Sequence, residues 1–400
     1  MNRIMRKARE FFICGRYAAA YLCALMCAPL LRLLPKYRAL WLICERKTDA
    51  RDNGYHFFAY LRKNHPEINA AYIIAGASPD YEKVSKIGRT VKPGSLCHVL
   101  SFACARVCIS THVMGYAPDT YRFAVMDTKL RLVRTKKVFL QHGVIETDPT
   151  ELHYPRTRLD LFVCTAQPEY EFVKDNFGHP RGVVRRIGLC RYDRLLTPHA
   201  VKKQILVMPT WRIYLRNLTD GEFMRSEYYR AYSELINSER MSRLLEENGY
   251  ELVFYPHYEL QRFLHLFRSD NPRIRTAAFG QYDVQELLME SAFLITDYSS
   301  VLFDFAYMQK PAAYYCFDEA DFFAAQYRRG YFDYRRDGFG AVFDDGERLI
   351  EFADKCVRGG AQMLTEYSER ARRFFALGGR REKPNCEKTY EAIKELIEER

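Results

Sequence analysis

Two histidines each follow a short apolar stretch of the sequence and could move protons during a reaction. His142 comes directly after residues 138–141 and precedes Gly143, whose missing side chain would let a ligand approach the backbone closely. His257 follows residues 252–256 in the second half of the chain. Imidazole titrates near neutral pH, so either ring could serve as a base or an acid. Histidines bonded to their own loops are the structural alternative.

A third apolar stretch ends in a polar cluster whose residue types suit phosphate binding. Asp297 and Tyr298 lead into Ser299 and Ser300, and Asp304 follows one helical turn later. If a helix begins here, its free N–H groups and the two hydroxyls are donors for a phosphate group. Asp304 could accept a hydrogen bond from a ribose hydroxyl or orient Ser300. Simple capping of the helix by one serine is the alternative.

Two further segments offer a hydroxyl and guanidinium groups that could hold a diphosphate. One is Pro209-Thr210-Trp211-Arg212, which follows an apolar stretch, and the other contains Arg191. Arginine binds phosphate oxygens through paired N–H donors. A structural ion pair of Arg191 with Asp193 is the alternative for the second segment.

These residues lie at the ends of elements that alternate between strand and helix. Such alternation predicts an α/β fold with a mainly parallel sheet, in which ligands bind beyond the carboxyl ends of the strands. In the first half we expect strands at 40–44, 70–75, 107–110, 137–140, 159–165 and 184–187, and helices at 55–63, 81–87 and 168–177. In the second half we expect strands at 204–208, 252–255, 293–296 and 312–316, and helices at 226–248, 284–291, 301–308, 349–358, 366–375 and 387–399.

The length of 400 residues predicts two domains, because single domains average about 150 residues. Residues 198–203 are the best candidate for the linker. The resulting division is an N-terminal segment at 1–39, a first Rossmann-like domain at 40–200 and a second at 201–400 with closing helices. We found no internal repeat or low-complexity segment that would indicate disorder.

The formal net charge of +11 favours anionic partners, and part of this charge is concentrated near the N-terminus. The uncharged stretch 17–31 is too short for a full transmembrane helix and contains Pro29, so we expect an interfacial membrane anchor. A signal sequence and a helix packed on the protein body are the alternatives. The apolar side chains of this anchor would be Leu22, Leu25, Met26 and Leu30, and its basic residues are Arg3, Arg6, Lys7, Arg9, Arg16, Arg32, Lys36 and Arg38, with Glu10 as the single acidic one.

The 12 cysteines stand singly within apolar stretches, as reduced core cysteines do, which indicates a cytosolic compartment. Cys97, His98, Cys104, Cys108 and His112 are close in sequence, but their spacing matches no zinc pattern. We therefore expect core packing there and predict no metal site.

Taken together, these residues give the chain a resemblance to the CDP-glycerol glycerophosphotransferases of teichoic-acid synthesis. The combination is specific, and its most distinctive parts are TDYSSVLFD at 296–304 and PTWR at 209–212. The other matching stretches are ERKTDARDNGYHFF at 45–58, FLQHGV at 139–144, GLCRYD at 188–193, YPH at 255–257, YDVQEL at 282–287 and RGYFDY at 329–334.

The resemblance implies two Rossmann-like domains facing a cleft, as in glycosyltransferases of the B type, on the cytoplasmic face of the cell membrane. It implies transfer of glycerol phosphate from CDP-glycerol to a lipid-linked or glycan acceptor, with His142 as the base and His257 stabilising the pyrophosphate or the leaving CMP. The expected substrate-binding residues are Gly143, Arg191, Pro209, Thr210, Arg212, Tyr255, Pro256, Asp297, Ser299, Ser300 and Asp304. No cofactor is required by the sequence, and assistance by Mg²⁺ stays open.

One stretch departs from the family pattern. Residues after the His-Gly pair often read Thr-Pro-Leu-Lys in the family, whereas this chain has VIETD at 144–148, which leaves the acceptor open. A CDP-ribitol or nucleotide-sugar transferase of the same architecture is the main alternative. A non-catalytic module that binds membranes or nucleic acid is a weaker one, because many of the aromatic residues fall inside apolar elements, and we expect no nucleic-acid partner.

Overall fold

The structure is a computed structural model that describes residues 3–377 and 383–398, with the backbone alone for residues 3–12. The side chains of Arg3, Arg6, Lys7, Arg9 and Glu10 therefore lie outside the described residues, as does Glu399 of the last predicted helix.

The first half of the chain forms a seven-stranded sheet in which every pair is parallel. The order β3-β2-β1-β4-β5-β6-β7 reverses direction between β1 and β4, which is the point where open α/β sheets form a binding crevice. The strands are β1 Trp41–Cys44, β2 Ala70–Ile73, β3 Thr90–Val91, β4 Val107–Ser110, β5 Lys136–Phe139, β6 Leu161–Cys164 and β7 Val184–Arg186. The helices are α1 Arg3–Leu31, α2 Asn53–Asn64, α3 Tyr81–Ser85, α4 Leu96–Cys104, α5 Thr120–Leu130, α6 Tyr154–Thr157, α7 Gln167–Asn176 and α8 Tyr192–Leu195.

The second half repeats this plan with six parallel strands in the order β10-β9-β8-β11-β12-β13, which reverses between β8 and β11. The strands are β8 Lys202–Met208, β9 Glu251–Phe254, β10 Ile274–Thr276, β11 Ser291–Thr296, β12 Ala312–Tyr315 and β13 Gly340–Phe343. The helices are α9 Asp220–Met224, α10 Glu227–Asn237, α11 Glu239–Asn248, α12 Val284–Glu290, α13 Val301–Tyr307, α14 Glu319–Ala325, α15 Gly346–Arg358, α16 Thr365–Phe375 and α17 Asn385–Glu398. The expected fold class, two parallel α/β sheets, is confirmed.

Most expected elements form within a few residues of their predicted bounds, and one divides. The expected helix at 226–248 is two helices, because Ser238 has extended backbone and caps α11 with its hydroxyl. Gly249 then ends α11 in the left-handed conformation, as a glycine at this position commonly does.

The last helix, α17, packs on the first sheet although its sequence follows the second. Cys386, Tyr390 and Ile393 belong to the same buried cluster as Trp41 and Phe57. Asp193 holds the start of α17 by accepting hydrogen bonds from the backbone N–H groups of residues 385 and 386, at 2.8 and 2.9 Å. The chain therefore returns to the first sheet at α17, after the six strands of the second sheet.

Helix α1 packs one face on the first sheet's helices and leaves the other open. Tyr21 is fully buried and its ring lies 5.1 Å from that of Phe102, while Arg32 donates to the Cys104 carbonyl at 3.1 Å. Met26 and Leu30, in contrast, are each 73% exposed. Residues 13–31 of this helix are long and apolar enough to cross a membrane by length and composition.

Candidate functional site

The cleft is built at the two positions where the strand order reverses. In the first sheet β1 and β4 lead into Arg46 and His112, and β5, paired with β4, leads into His142. In the second sheet β8 leads into Pro209, and β11 leads into residues 297–300. The carboxyl ends of parallel strands lie at one edge of a sheet, so each set of side chains is gathered at one edge.

A strained turn delivers His142. Gln141 has the left-handed φ of 60°, which is unusual for a residue with a side chain, and it is 1% exposed. Its amide donates to the Glu169 carboxylate at 3.2 Å and to the Val163 carbonyl. These contacts hold the backbone in a conformation that turns His142 out of the sheet.

Gly143 brings the two halves of the molecule into contact. A methyl group at this position would lie 2.6 Å from the Ser300 Oγ and 2.9 Å from its Cβ, which is closer than real side chains approach. The backbone after His142 therefore lies directly against the start of α13. This close approach explains the glycine without any requirement for a positive φ.

The imidazole of His142 lies in the cleft and stacks on that of His112, with the ring centres 5.2 Å apart and 10° between the planes. Loss of hydration, together with the positive charges of Arg191 and Arg46, lowers the pKa of His142 to about 4. A neutral imidazole with an available lone pair is the form that can accept a proton.

His257 lies on the other side of the cleft and is fixed as a donor. Its Nδ1 accepts a hydrogen bond from the Glu259 backbone N–H at 3.3 Å, so the proton of the neutral ring resides on Nε2. Burial and the charge of Arg46 lower its pKa to about 4, and the Glu259 carboxylate acts in the opposite direction. The Trp211 ring stacks beside it, with 6.1 Å between ring centres.

Ser299 and Ser300 are half-buried and their hydroxyls have no hydrogen-bond partner among the described residues. Ser300 occupies the capping position of α13 but its side chain makes no capping bond. Simple capping therefore does not account for this serine pair, and both hydroxyls are available as donors to a ligand.

Arg191 joins the two halves beneath His142. Arg191 is 7% exposed, and its guanidinium forms a bidentate pair with Asp304 of α13, with Nη2 donating to Oδ1 at 2.6 Å and Nε to Oδ2 at 3.1 Å; it also contacts Asp52 at 3.2 Å. It also donates to the His142 carbonyl at 2.8 Å. The expected alternative pair with Asp193 is replaced by this network across the interface, and Asp304 is occupied by Arg191.

Arg212 and Asp297 form a second buried network that faces away from the open cleft. Arg212 is fully buried and pairs with Asp318 at 2.6 Å and with Asp297 at 3.0 Å. Asp297, also fully buried, accepts from the Thr210 backbone N–H at 2.7 Å. The structure thus places these two charged side chains in a support under the loops after β8 and β11, where the donors of Arg212 are taken up by Asp318, Asp297 and the Thr210 carbonyl.

The other expected binding residues lie in the loops that line the second half of the cleft. Pro209, Tyr255 and Pro256 are buried beside Thr210 and His257, where their packing shapes the two loops. Pro256 accepts a hydrogen bond from Gln261 through its carbonyl at 2.8 Å.

Two cleft residues were missed as site residues. Arg46 follows β1 and His112 follows β4, one strand away from His142 in the same sheet. His112 was considered only with Cys97, His98, Cys104 and Cys108, and the structure separates that set: His98 binds the Tyr116 carbonyl at 2.8 Å in the core. Counting polar residues after every predicted strand would have found both.

The segment that departs from the family pattern contacts another of the matching stretches. Thr147 forms an antiparallel bridge with Arg329, and the Asp148 N–H donates to the Arg328 carbonyl at 3.2 Å. A methyl group on Gly330 would lie 2.2 Å from the Glu146 carbonyl oxygen. Residues 144–148 and 328–330 therefore form a second contact between the two halves, next to the one at Gly143.

Among the described residues no group of three or more His, Cys, Asp or Glu side chains is arranged to hold a metal ion.

Two parallel sheets facing a cleft, with histidines and hydroxyls at their strand ends, define a fold of the glycosyltransferase-B type. Residues 26–393 match the family model of CDP-glycerol:poly(glycerophosphate) glycerophosphotransferases, and the chain belongs to that family.

Relatives and solved structures agree with this assignment. The chain is 32% identical over 374 residues to the minor teichoic acid biosynthesis protein GgaB of Bacillus subtilis, covering 90% of this chain and 40% of that protein. It is 25% identical to a teichoic acid poly(glycerol phosphate) polymerase of Staphylococcus epidermidis, covering 81% and 46%. The chain thus spans less than half the length of these relatives.

The wall teichoic acid polymerase TagF has the same fold, with a TM-score of 0.66 at 16% identity and coverage of 96% of this chain and 98% of that one. The structure of a TagF variant soaked with CDPG has a TM-score of 0.63 to this chain at 17% identity, and the match covers 99% of this chain and 97% of that one.

Proposed function

We propose that the protein transfers glycerol phosphate from CDP-glycerol to a hydroxyl group of a cell-envelope glycan or lipid-linked acceptor and releases CMP. The observation that carries this proposal is the contact at Gly143, which sets neutral His142 beside the open hydroxyl of Ser300. A base and phosphate-binding donors at one point are what a phosphotransfer to a hydroxyl group requires. Family membership and the soaking of TagF with CDPG support the choice of donor.

The reaction follows from the two histidines. The acceptor hydroxyl attacks the β-phosphorus of CDP-glycerol while His142 takes its proton, so a new P–O bond forms. The bond from the β-phosphorus to the bridging oxygen breaks, and CMP leaves with that bonding pair. The Nε2–H of His257 donates a hydrogen bond to the charge that develops on the leaving phosphate.

Binding of the donor rests on the second half of the cleft. The hydroxyls of Ser299 and Ser300 face the phosphates, and the loop of Pro209 and Thr210 lies beside them at the strand-order reversal. Arg191 supports this arrangement from below, because it fixes the His142 carbonyl and α13 at the same time. We assign Arg191 and Asp304 as positioning residues on this ground. Arg212 and Asp297 have the same role under the loops after β8 and β11, where they form a buried pair.

The acceptor is expected to enter past residues 144–148. Their contact with residues 328–330 links the two halves of the molecule beside His142, and the VIETD sequence gives this chain a local surface of its own there. The number of glycerol phosphate units added depends on whether this surface keeps the extended product bound for a further transfer.

We propose that the fixed donors suffice for the reaction and that Mg²⁺ is dispensable. Activity retained in excess EDTA is the expected result. Loss of activity that added Mg²⁺ restores would show that a divalent ion takes part.

We also propose that α1 holds the protein on the cytoplasmic face of an anionic membrane. Its exposed apolar side chains border a groove of about 1080 Å³ whose lining includes Arg106, Arg131 and Arg134. Because the opposite face of α1 is buried against the protein, the helix fits a position in the membrane surface better than one across the membrane. Vesicles of phosphatidylglycerol should bind the protein, and the double variant Met26→Glu, Leu30→Glu should abolish this binding. Equal binding by the variant would contradict the proposal.

The donor is tested by nucleotide release from CDP-glycerol, CDP-ribitol and UDP-N-acetylglucosamine with a membrane fraction as acceptor source. CMP release from CDP-glycerol at the highest rate is expected. Faster release from CDP-ribitol would reassign the donor, and release of UDP would overturn the proposed chemistry.

A further inference from the structure

The guanidinium of Arg46 lies between the two halves of the cleft. Arg46 is the second residue after β1, and its side chain lies over the Tyr258 ring at 4.5 Å from the ring centre. Tyr258 directly follows His257 in the second half of the molecule. A residue of the first sheet thus reaches the histidine loop of the second.

The loop that carries Arg46 is held rigidly by its neighbour Glu45. This carboxylate is 2% exposed and accepts hydrogen bonds from the backbone N–H groups of Arg51, Asp52 and Tyr55 at 2.8, 2.9 and 2.6 Å. Three such bonds fix the turn from β1 into α2. The position of Arg46 is therefore set by the fold, while its side chain extends into the cleft.

Arg46 differs from the other arginines around the interface in having no carboxylate partner. Arg51 pairs with Asp80, Arg191 with Asp304 and Arg194 with Glu286, at 2.6 to 2.8 Å. Within residues 3–377 and 383–398, no carboxylate lies within ion-pair distance of the Arg46 guanidinium. Asp49 is near enough for the charge of Arg46 to oppose a rise in its pKa, yet it makes no ion pair with Arg46.

The charge of this half-buried arginine reaches every histidine of the cleft. It contributes to the lowered pKa of His112, His142 and His257, each of which is lowered first by loss of hydration. A single positive charge near all three rings lies where a reacting phosphate group would have to be bound. A partly desolvated guanidinium without a counter-charge is stabilised by an anion, and phosphate oxygens match its paired donors.

We propose that Arg46 binds a phosphate group in the cleft between His142 and His257, as a substrate contact in addition to the binding residues expected from the sequence. The inference rests on the proposed function for the identity of the phosphate. It can belong to the diphosphate of the donor or to a phosphodiester of the acceptor, since both present the same oxygens. Tyr258 holds the guanidinium in place when no anion is bound.

The first test is direct binding of CDP by calorimetry, which needs no turnover. We expect the variant Arg46→Gln to bind CDP at least tenfold more weakly than the parent, and Arg46→Lys to lose less, because lysine keeps the charge without the paired donors. Arg243→Gln is the matched control, since its side chain is 68% exposed on α11, a helix that leads into the amino end of β9, whereas the cleft lies at the carboxyl ends of the strands. Its CDP affinity should equal that of the parent.

Kinetics then separate the two sources of phosphate. A rise in KM for CDP-glycerol assigns the contact to the donor, and a rise in KM for the acceptor with unchanged CDP affinity assigns it to the acceptor. In both cases the acid limb of kcat/KM for Arg46→Gln should move to higher pH, because His142 loses a neighbouring positive charge. Parental CDP affinity, parental KM values and an unmoved acid limb in Arg46→Gln would overturn the proposal. If Arg46→Gln fails to fold, Arg46→Lys decides by CDP affinity and KM alone, because lysine keeps the charge and leaves the acid limb unmoved; parental CDP affinity and KM values in Arg46→Lys would then overturn the proposal.

If the parent protein released no CMP from CDP-glycerol but Arg46→Gln still bound CDP more weakly, the proposed transfer would fail and the phosphate contact of Arg46 would stand. If the parent released CMP and Arg46→Gln did so with parental kinetics and parental CDP affinity, the proposed transfer would stand and the Arg46 contact would fail. The two proposals therefore fail separately.

Discussion

Arg191 and Arg212 are both buried and each is paired with two carboxylates, but they connect different parts of the molecule. Arg191 lies between the sheets, where it pairs with Asp304 of the second half and Asp52 of the first. Arg212 and both of its partners, Asp297 and Asp318, lie within the second half. The first network can thus set the distance between the two halves, whereas the second can only shape one of them.

The pairing of each arginine also indicates whether it supports the fold or is available to contact a substrate. A guanidinium whose donors are taken up by carboxylates and backbone carbonyls has a structural role, because moving it would leave the carboxylates without their counter-charge. Arg46 stands at the same cleft without such a partner and over an aromatic ring. Burial and pairing, which the sequence does not display, are what distinguish the three arginines.

The largest effect should follow from removing Arg212. The variant Arg212→Met leaves the carboxylates of Asp297 and Asp318 buried without their counter-charge, which costs about 3–5 kcal/mol for such pairs. The free energy of unfolding, measured in urea for the whole chain, should fall by that amount. An unchanged urea midpoint would mean that this network does not stabilise the second half.

Removing Arg191 should cost less stability than removing Arg212, because Asp52 is partly exposed, and it should in addition reduce activity. In Arg191→Met the His142 carbonyl loses its donor and the link to α13, so kcat should fall by roughly 10- to 100-fold, or about 1.4–2.7 kcal/mol in the barrier. The double variant Arg191→Met, Asp304→Leu removes the unpaired charge and should regain stability without regaining activity. Recovery of both would reduce Arg191 to a purely structural role.

A methyl group at Gly143 tests the contact between the two halves of the molecule without changing any charge. In Gly143→Ala the added methyl group meets Ser300 at 2.6 Å, so the two halves must move apart and kcat/KM should fall by about tenfold. The melting temperature should change little. Gly221→Ala is the control, because its methyl group would meet only Arg225 at an ordinary 3.8 Å. Equal activity of the two variants would argue against a tight contact at the site.

The smallest effect, a shift along the pH axis, tests the charges around His142. Because its pKa is lowered to about 4, the ring stays neutral as pH falls through 6.5, and kcat/KM should hold down to about pH 5. Activity is then lost as pH falls further and the base becomes protonated. A midpoint near pH 6.5 at constant ionic strength would show that the cleft does not perturb this histidine.

The sequence predicted the architecture well because its signals are local. Short apolar stretches with polar residues at their ends specify parallel strands and the loops after them, so His142, His257 and Ser300 could be assigned to strand ends. Strands β3, β10 and β13 were not predicted, and β3 and β10 have only two and three residues. The break at Ser238 was missed because the residues on both sides of it favour helix.

The sequence could not predict how the charged residues pair. Arg191 meets Asp304 113 positions later, and Arg212 meets Asp318 106 positions later, so neither pair leaves a local pattern. The packing of α17 on the first sheet is likewise a long-range contact that the division at residue 200 did not anticipate. The roles of Arg212 and Asp297 as support depend on such pairings.

The central claim, that neutral His142 removes the proton of an acceptor hydroxyl, is tested most directly by His142→Gln. The measurement is CMP release from CDP-glycerol in a single turnover, together with CDP affinity by calorimetry. Glutamine keeps the size and polarity of the side chain but cannot take up a proton. The account predicts parental CDP affinity with CMP release slowed at least 100-fold, whereas CMP release at the parental rate would contradict it.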